Sequence, residues 1–426
     1  MAVDRGGMGG SSPRGYLPPK PLRTYRHDMA QRPFIVIWEM TQACPLACRH
    51  CRATARPARH PGELSTAEAR DLMAQVAEFG APPPVFVLTG GDPFQRPDLF
   101  ELVRHGTSLG LPVAVSPSGT PTLTADALTR LREAGARAIS LSLDGSTARV
   151  HDRFRGVDGV YEWSLDAWRA ATELGLKVQI NTTVAAHNLT DLADIAALVH
   201  RLGAVSWSAF LLVPTGRGAL LPGLTAGQAE DVLNFVYDAG DYVPARTTEA
   251  HHFRRVVIQR DILDRRGADH VAALGLGALY LDLRQRLDEL GLARRKARRP
   301  PMNVNAGQGF LFVSHLGTVH PSGFLPVSAG SVRDGRLADI YRTSPLFTGL
   351  RDRGRLTGRC GACEFAAVCG GSRSRAYATT GDPFGEEPWC AYQPGTFPYQ
   401  QDLAAAGGAT DPSRSTSGTG SARPFG

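Results

Sequence analysis

The chain has no long apolar run. None of its 426 residues lies in a stretch close to the roughly 18 apolar residues that span a bilayer. The most apolar run, residues 209–213, has the length of one strand. The first thirty residues also lack the apolar core of a secretory signal. We therefore expect a cytoplasmic protein without membrane contact, in which cysteines stay reduced and bind metal more often than they pair.

Cysteine is absent from about three hundred consecutive residues in the middle of the chain. The seven cysteines form one group of three before this gap and one group of four after it. In a reducing compartment, thiols at such short spacings are typical of metal sites. The gap therefore predicts two separate sites in two separate parts of the chain.

Charge of one sign is not in strong excess either. The formal net charge of +7 is modest for this length and selects neither nucleic acid nor an acidic substrate. The sharpest basic run, residues 294–299, precedes two prolines. It is either a solvated helix end or linker, or a contact for carboxylates or an acidic peptide. Because no recognition motif or aromatic-interleaved groove accompanies it, we expect no nucleic-acid partner.

Short apolar runs alternate with amphipathic segments from residue 34 to residue 213. Ser65 and Glu68 form a capping box that opens the first helix. The strand–helix repeats predict parallel strands with right-handed crossovers, hence an α/β barrel or a doubly wound sheet. In both folds, ligands bind at the carboxyl ends of the strands. Six strands are predicted, at residues 34–39, 85–88, 113–116, 138–143, 177–184 and 205–213.

Composition divides the chain into five parts. We expect residues 1–32 and 401–426 to be disordered, because they are rich in small and polar residues. Residues 33–218 form the predicted core, and residues 219–305 form a charged, helical connecting segment. Residues 306–400, which include a hairpin turn at Gly317 and Thr318, are expected to form a small unit stapled by metal.

Cys44, Cys48 and Cys51 form a C-x3-C-x2-C motif directly after the first predicted strand. A cubane iron–sulfur cluster usually takes four thiolates. Three ligands leave one iron open, as a catalytic zinc site keeps one position open. An open iron can bind a small molecule through an amine and a carboxylate. The alternative is a zinc knuckle or unrelated buried cysteines, which the position after the first strand disfavours.

The second cysteine group consists of Cys360, Cys363, Cys369 and Cys390. Four thiolates can close an iron–sulfur cluster completely. The same spacing also suits tetrahedral structural zinc. From spacing alone, both kinds of site stay open.

Short motifs at the ends of the predicted strands carry a family resemblance. Residues 90–93 end the second strand, residues 142–145 end the fourth, and residue 181 lies on the fifth. Together with the cysteine motif, they make the sequence similar to the radical SAM superfamily, although Asp92 replaces the usual Glu. The resemblance implies that S-adenosylmethionine is bound by His50, Gly90, Gly91, Asp92, Pro93, Ser142, Asp144 and Asn181.

The resemblance implies a partial (β/α)6 TIM-type barrel and radical chemistry. A 4Fe-4S cluster on the first three cysteines would bind S-adenosylmethionine and cleave it to methionine and a 5′-deoxyadenosyl radical. A flavodoxin- or ferredoxin-type donor would supply the electron. The tail resembles a small C-terminal SPASM/twitch-type iron–sulfur domain, which implies a second, auxiliary 4Fe-4S cluster on the four later cysteines. His320 stands where fuller domains of this type carry a cysteine, so whether it is a ligand is open.

The tail also resembles the superfamily branch of alternative haem biosynthesis and nitrite-reductase haem maturation. Residues 369–377, 387–390 and 214–218 carry this likeness. It implies hydrogen abstraction from a tetrapyrrole-like or other carboxylated small molecule. One alternative is a ribosomal peptide maturase that crosslinks or epimerises its substrate, with the auxiliary cluster as electron acceptor. The other is a non-enzymatic iron–sulfur or zinc protein. Two interpretations stay open for His251, His252, Arg254 and Arg255. They contact the substrate, or they form a solvated helix face.

Overall fold

The computed structural model describes residues 22–23, 27–53, 55–295 and 298–405. Most of the N-terminal segment that we expected to be disordered lies outside these ranges, as do residues 406–426 and residues 296–297 of the basic run. Residues 27–32 contact the folded chain, because the Met29 carbonyl accepts a hydrogen bond from the Tyr341 hydroxyl. Within the described ranges, no helix has both the length and the apolar character needed to cross a bilayer.

One mixed sheet organises the described residues. Its strand order is β10-β9-β8-β1-β2-β3-β4-β5-β6-β7, and all pairs from β8 to β7 are parallel. Strands β8, β9 and β10 pair antiparallel at one edge. The strands are β1 Ile35–Glu39, β2 Val85–Thr89, β3 Val113–Val115, β4 Ala138–Ser142, β5 Lys177–Val184, β6 Ser206–Leu211, β7 Ala245–Thr248, β8 Phe310–Val313, β9 Thr318–His320 and β10 Gly330–Ser331.

Helices connect the parallel strands and continue into the C-terminal part. Those up to β7 are α1 Thr66–Ala77, α2 Leu99–Ser108, α3 Ala125–Glu133, α4 Ala148–Arg155, α5 Val160–Glu173, α6 Leu192–Leu202 and α7 Ala226–Ala239. Those after β7 are α8 Phe253–Arg266, α9 His270–Leu274, α10 Ala278–Glu289, α11 Leu337–Thr343, α12 Pro345–Arg351, α13 Gly358–Ala362, α14 Arg373–Thr380 and α15 Gln400–Ala405.

The predicted strand–helix repeats are confirmed. Each of the six predicted strands lies within two residues of its expected bounds. The capping box of α1 forms as expected, with the Ser65 side chain accepting from the Glu68 backbone and the Glu68 carboxylate accepting from the Ser65 backbone. The parallel sheet with intervening helices is the partial α/β barrel that the sequence predicted.

Two strands extend the sheet past the expected core boundary at residue 218. Strand β7 lies in the segment predicted to be helical and pairs with β6. It is short, and its sequence Ala-Arg-Thr-Thr has no apolar alternation, so pairing with β6 determines its conformation. Strand β8 pairs with β1 before the chain turns at Gly317 into the predicted hairpin.

The two faces of the sheet differ in polarity. Residues such as Val36 and Trp38 are fully buried in the core that includes the helices. Because helices cover the outside of a βα barrel, the other face lines the inside. On β4 and β5 this inner face carries the half-buried Ser142 and Asn181, which are register partners. Polar groups therefore line the inside of the barrel near the carboxyl ends of these strands.

A buried arginine of α14 joins the C-terminal part to the sheet. Arg375 is fully buried, and its Nε and Nη2 donate to the carbonyls of Leu212, Leu211 and Glu249 at 2.7–3.1 Å. Its Nη1 pairs with the buried Glu387 carboxylate at 2.9 Å. These bonds fix the C-terminal part against the carboxyl ends of β6 and β7.

We expect Arg375→Ala to lower the free energy of unfolding by about 3–5 kcal/mol, because it leaves the buried Glu387 carboxylate unpaired. Urea denaturation measures this cost. The matched control is Arg169→Ala, which breaks an exposed pair with Asp166 and should cost less than about 1 kcal/mol. Equal losses in the two variants would contradict the role of Arg375.

Candidate functional site

The first cysteine group lies in the loop of residues 40–56, here called the cysteine loop, which follows β1. Cys48 is buried, and Cys44 and Cys51 are half-buried. The Cys44 sulfur accepts from the Leu46 backbone N–H at 3.4 Å and lies 3.6 Å from the Ser118 hydroxyl. The Cys51 thiol donates to the Ala53 carbonyl at 2.9 Å. One loop thus holds all three predicted ligands at the carboxyl end of the first strand.

The turn after β2 packs directly against the cysteine loop. The Gly91 N–H donates to the Thr41 carbonyl at 2.7 Å, and the Asp92 N–H donates to the Ala43 carbonyl at 2.7 Å. A Cβ atom on Gly90 would lie 2.5 Å from the Thr41 carbonyl oxygen, and one on Gly91 would collide with the Ala43 carbonyl. Only glycine allows this close approach of two backbones.

The Asp92 side chain connects the turn after β2 with the loop after β3. It is fully buried and accepts from the Phe94 and Ser118 backbone N–H groups, both at 3.3 Å. Burial raises the pKa of its carboxyl group. Pro93, which follows it, is buried and begins a short 3-10 helix. The aspartate that replaces the usual glutamate therefore organises the loops from within.

A charged chain leads from the fourth strand to Cys48. The buried Asp144 carboxylate accepts from the Thr183 N–H at 2.7 Å and pairs with Arg155 at 2.5 Å. Arg155 in turn points Nη1 at the Cys48 sulfur, 3.8 Å away. Although burial opposes it, the Arg155 guanidinium holds the pKa of Asp144 below its ordinary value. The sequence analysis did not assign Arg155 to the site.

His50 belongs to a stack of three rings. Its imidazole stacks on Phe154 at 4.3 Å between centroids, and Phe154 stacks on His187 at 3.7 Å. Burial, together with Arg155, lowers the pKa of His50 to about 3. The ring is therefore neutral, and it packs against Phe154 of α4.

An ion-pair cluster joins the cysteine loop to β8. Arg52 pairs with the buried Glu39 at 3.0 Å, and His315 binds the other carboxylate oxygen at 2.9 Å. The Arg52 guanidinium also lies 4.5 Å from the Phe312 ring centroid. The sequence signal for Arg52 is only its position after the third cysteine, so sequence reasoning missed this cluster.

Arg217, after β6, also contacts the cysteine loop. Its backbone N–H donates to the Cys51 carbonyl at 2.9 Å. A Cβ on the preceding Gly216 would lie 2.5 Å from the same carbonyl oxygen. The guanidinium Nε and Nη2 are buried, and neither has a hydrogen-bond partner within the part of the chain that the structure describes. A cation with unused donors thus lies beside the first cysteine group.

The four cysteines of the second group line one cavity, here called the C-terminal cavity. Its walls include the apolar Phe365 and Ala366 and the cations Arg255 and Arg359. Two backbone N–H groups donate to its sulfurs at 3.3 Å, from Gly371 to Cys369 and from Glu387 to Cys360. The sequence prediction that these cysteines form one set agrees with this common cavity.

The C-terminal cavity suits an anionic cluster. Burial raises the pKa values of Cys363 and Cys369 to about 12, so their thiolates need a compensating metal or cation. Arg373 Nη2 lies 3.7 Å from the Cys360 sulfur. Among the described residues, no three His, Cys, Asp or Glu side chains converge closely enough to hold a single ion.

The four predicted substrate contacts do not share one environment. Arg254 donates to the carbonyls of Met302 and Val368 at 2.8 and 2.9 Å. Arg255 pairs with the buried Glu230 at 2.5 Å. These internal contacts favour a structural role for both arginines over the predicted substrate contact.

Of the two neighbouring histidines, His252 lies in the wall of the C-terminal cavity rather than on a solvated helix face. His252 is fully buried and lines the cavity, and His251 is half-buried. Burial lowers the pKa of His252 to about 4.

His320 and the basic run lie outside both cysteine groups. His320 Nδ1 lies 3.0 Å from the Val327 carbonyl, which favours turn packing over cluster ligation. In the basic run, Arg298 stacks on Tyr237 at 4.1 Å and binds Asp241. These contacts favour the linker interpretation of the run.

Comparison with known proteins identifies the superfamily. A family model for the radical SAM superfamily matches residues 38–200. The chain is 40% identical over 371 residues to an AdoMet-dependent heme synthase of Oleidesulfovibrio alaskensis, covering 84% of this chain and 87% of that protein. It is 32% identical over 361 residues to a pre-heme d1 synthase of Dinoroseobacter shibae, covering 84% and 85%.

A solved structure has the same fold. Streptococcus suis SuiB bound to S-adenosylmethionine aligns with a TM-score of 0.60 at 12% identity, over 85% of this chain and 78% of that chain. The chain belongs to the radical SAM superfamily, as its motifs predicted, and it is an enzyme of that superfamily. The non-enzymatic alternative is therefore set aside. Enzymes of this superfamily use a 4Fe-4S cluster and S-adenosylmethionine, which the geometry of the cysteine loop fits.

We expect anaerobically reconstituted protein to hold about eight irons per chain in two cubane clusters. Replacing Cys44, Cys48 and Cys51 by alanine should remove about half of the iron, and replacing the four later cysteines should remove the other half. Iron, zinc and sulfide analysis with Mössbauer spectroscopy measures both contents. Zinc in the second site, or iron loss that does not follow the two groups, would contradict the assignment.

Proposed function

We propose that this enzyme abstracts hydrogen from a carboxylated tetrapyrrole bound inside the barrel. Cys44, Cys48 and Cys51 would hold a 4Fe-4S cluster, which would supply the electron needed to cleave S-adenosylmethionine to methionine and a 5′-deoxyadenosyl radical. A flavodoxin- or ferredoxin-type protein would reduce this cluster. The names of the two haem-related relatives support a tetrapyrrole as the substrate class. The side chains that line the site of this chain also support it.

The cofactor end of the site is formed by backbone and buried polar groups. The turn 90–93 is fixed against the cysteine loop, so its backbone can receive the amino group of S-adenosylmethionine without rearrangement. Ser142 and Asn181, adjacent on β4 and β5, offer hydrogen bonds to the ribose or the carboxylate. Asp144 acts through Arg155, which neutralises charge beside Cys48. His50 contributes a flat neutral ring near the adenine.

The inner face of the sheet has one apolar wall. Ile35 pairs in register with Phe310, and Ile37 pairs with Phe312. All four side chains are on the face opposite the fully buried Val36. The wall formed by β4 and β5 is polar. An amphipathic ligand, with a flat apolar macrocycle and carboxylate arms, matches this division.

The observation that carries the substrate class is the Arg217 guanidinium. Its Nε and Nη2 are buried beside the cysteine loop and have no partner in the described ranges. Buried N–H donors without a partner are costly, and a carboxylate is the ligand that a guanidinium binds with two parallel hydrogen bonds. We therefore assign Arg217 to a carboxylate arm of the substrate.

The auxiliary cluster would accept the second electron that the substrate loses. Loss of a hydrogen atom leaves a substrate radical, and a closed-shell product forms when that radical gives up one more electron. A 4Fe-4S cluster with four thiolates in the C-terminal cavity is a one-electron acceptor. Zinc at the same cysteines would not accept an electron.

The test is the affinity for a porphyrin tetracarboxylate and for its tetramethyl ester. Wild-type protein should bind the acid more tightly than the ester. Arg217→Leu should lower the affinity for the acid about ten- to hundredfold and leave the affinity for the ester unchanged, because a hydrogen bond to a charged group contributes about 1.5–3 kcal/mol. Absorbance titration of the porphyrin under anaerobic conditions gives both constants. Arg201→Leu, on the exposed side of α6, is the matched control and should change neither.

Two outcomes would overturn this assignment. Equal affinities for the acid and the ester in wild-type protein would show that the carboxylates of the ligand do not contribute to binding. Binding of a short precursor peptide, without binding of either porphyrin, would favour the peptide maturase.

A further inference from the structure

The imidazole of His252 lies in the wall of the C-terminal cavity, with the four cysteines of the second group. The side chain is fully buried. Neither Nδ1 nor Nε2 has a hydrogen-bond partner in the described part of the chain. A neutral imidazole has one N–H donor and one acceptor nitrogen, and buried polar groups of this kind are nearly always satisfied.

Other polar groups around the cavity bind protein partners. Arg255 uses Nη1 and Nη2 on Glu230. Arg359 binds Glu386 and the Cys390 carbonyl. The Glu387 carboxylate accepts from Arg375. His252 differs from these groups because neither of its ring nitrogens binds a protein group within the described ranges.

The backbone holds the His252 ring in this orientation. His252 is the residue directly before α8, and the two arginines that follow it are fixed to other parts of the chain. Arg254 binds the Met302 and Val368 carbonyls, and Arg255 pairs with Glu230. These contacts fix the start of α8, and the His252 ring itself is fully buried.

We propose that His252 donates its ring N–H to a sulfur of the auxiliary cluster and thereby raises the reduction potential of that cluster. A hydrogen bond to a cluster sulfur stabilises the more negative, reduced state. His252 would thus make the auxiliary cluster a better electron acceptor than the four thiolates alone. The inference rests on the assignment of the second cysteine group to one cluster, and it is independent of the substrate.

The experiment is a reductive titration of the holoenzyme followed by electron paramagnetic resonance. Added S-adenosylmethionine shifts the signal of the first cluster, so the signal that does not respond belongs to the auxiliary cluster. His252→Leu should shift the midpoint potential of the auxiliary cluster to a more negative value. His252→Gln retains an N–H donor and should restore part of the shift. His320→Leu, a histidine outside the cavity, should leave the potential unchanged.

A second measurement decides the case even if His252→Leu assembles its cluster poorly. With ¹⁵N-labelled histidine, pulsed electron paramagnetic resonance of the reduced auxiliary cluster should show weak coupling to a ring nitrogen. This coupling should be lost in His252→Gln.

Unchanged potentials in both variants, or no histidine coupling in wild-type protein, would overturn the proposal. A strong coupling, of the kind given by a nitrogen bonded to iron, would show that His252 is a ligand of the cluster and would overturn the proposed hydrogen bond. Failure of the underlying assignment is recognised separately, because the wild-type protein would then contain no second cluster to titrate.

Discussion

The buried guanidinium of Arg375 is the contact on which the relation between the two cysteine groups depends. It binds backbone carbonyls at the ends of β6 and β7 and pairs with Glu387, three residues before Cys390. The Glu249 carboxylate, directly after β7, accepts from the Ser372 and Ser374 hydroxyls of the same C-terminal part. Because both partners of the ion pair are buried, this junction has one geometry, which fixes the C-terminal cavity against the mouth of the barrel.

The two cysteine groups differ in what surrounds them. The first lies on a loop at the carboxyl ends of the strands, among groups that meet there from several strands, such as Asp92, Arg155 and Arg217. The second encloses a cavity with its own cations and backbone donors. An incomplete set of ligands at the mouth of a barrel leaves an iron that can react with a small molecule, whereas a complete set of four thiolates leaves a cluster that can only exchange electrons.

Much of the fold could be predicted because its signals are local. Apolar alternation and the capping residues Ser65 and Glu68 specify strands and helices from neighbouring residues alone. Strand β7 could not be predicted, because its four residues become a strand only by pairing with β6. The three cysteines were predicted from their spacing, and the turn 90–93 was predicted from the family resemblance. Arg155 and Arg217 were missed as site residues because only tertiary contacts bring them to the cysteine loop, and His252 was expected at the substrate for the same reason.

The central claim is that a radical formed beside Cys44, Cys48 and Cys51 takes hydrogen from a tetrapyrrole side chain. The most direct measurement uses reduced holoenzyme, S-adenosylmethionine and an iron porphyrin tetracarboxylate deuterated in its carboxylate-bearing arms. The 5′-deoxyadenosine formed is analysed by mass spectrometry. We expect deuterium in 5′-deoxyadenosine and its loss from the porphyrin. Undeuterated 5′-deoxyadenosine and an unchanged porphyrin, with both clusters intact, would contradict it.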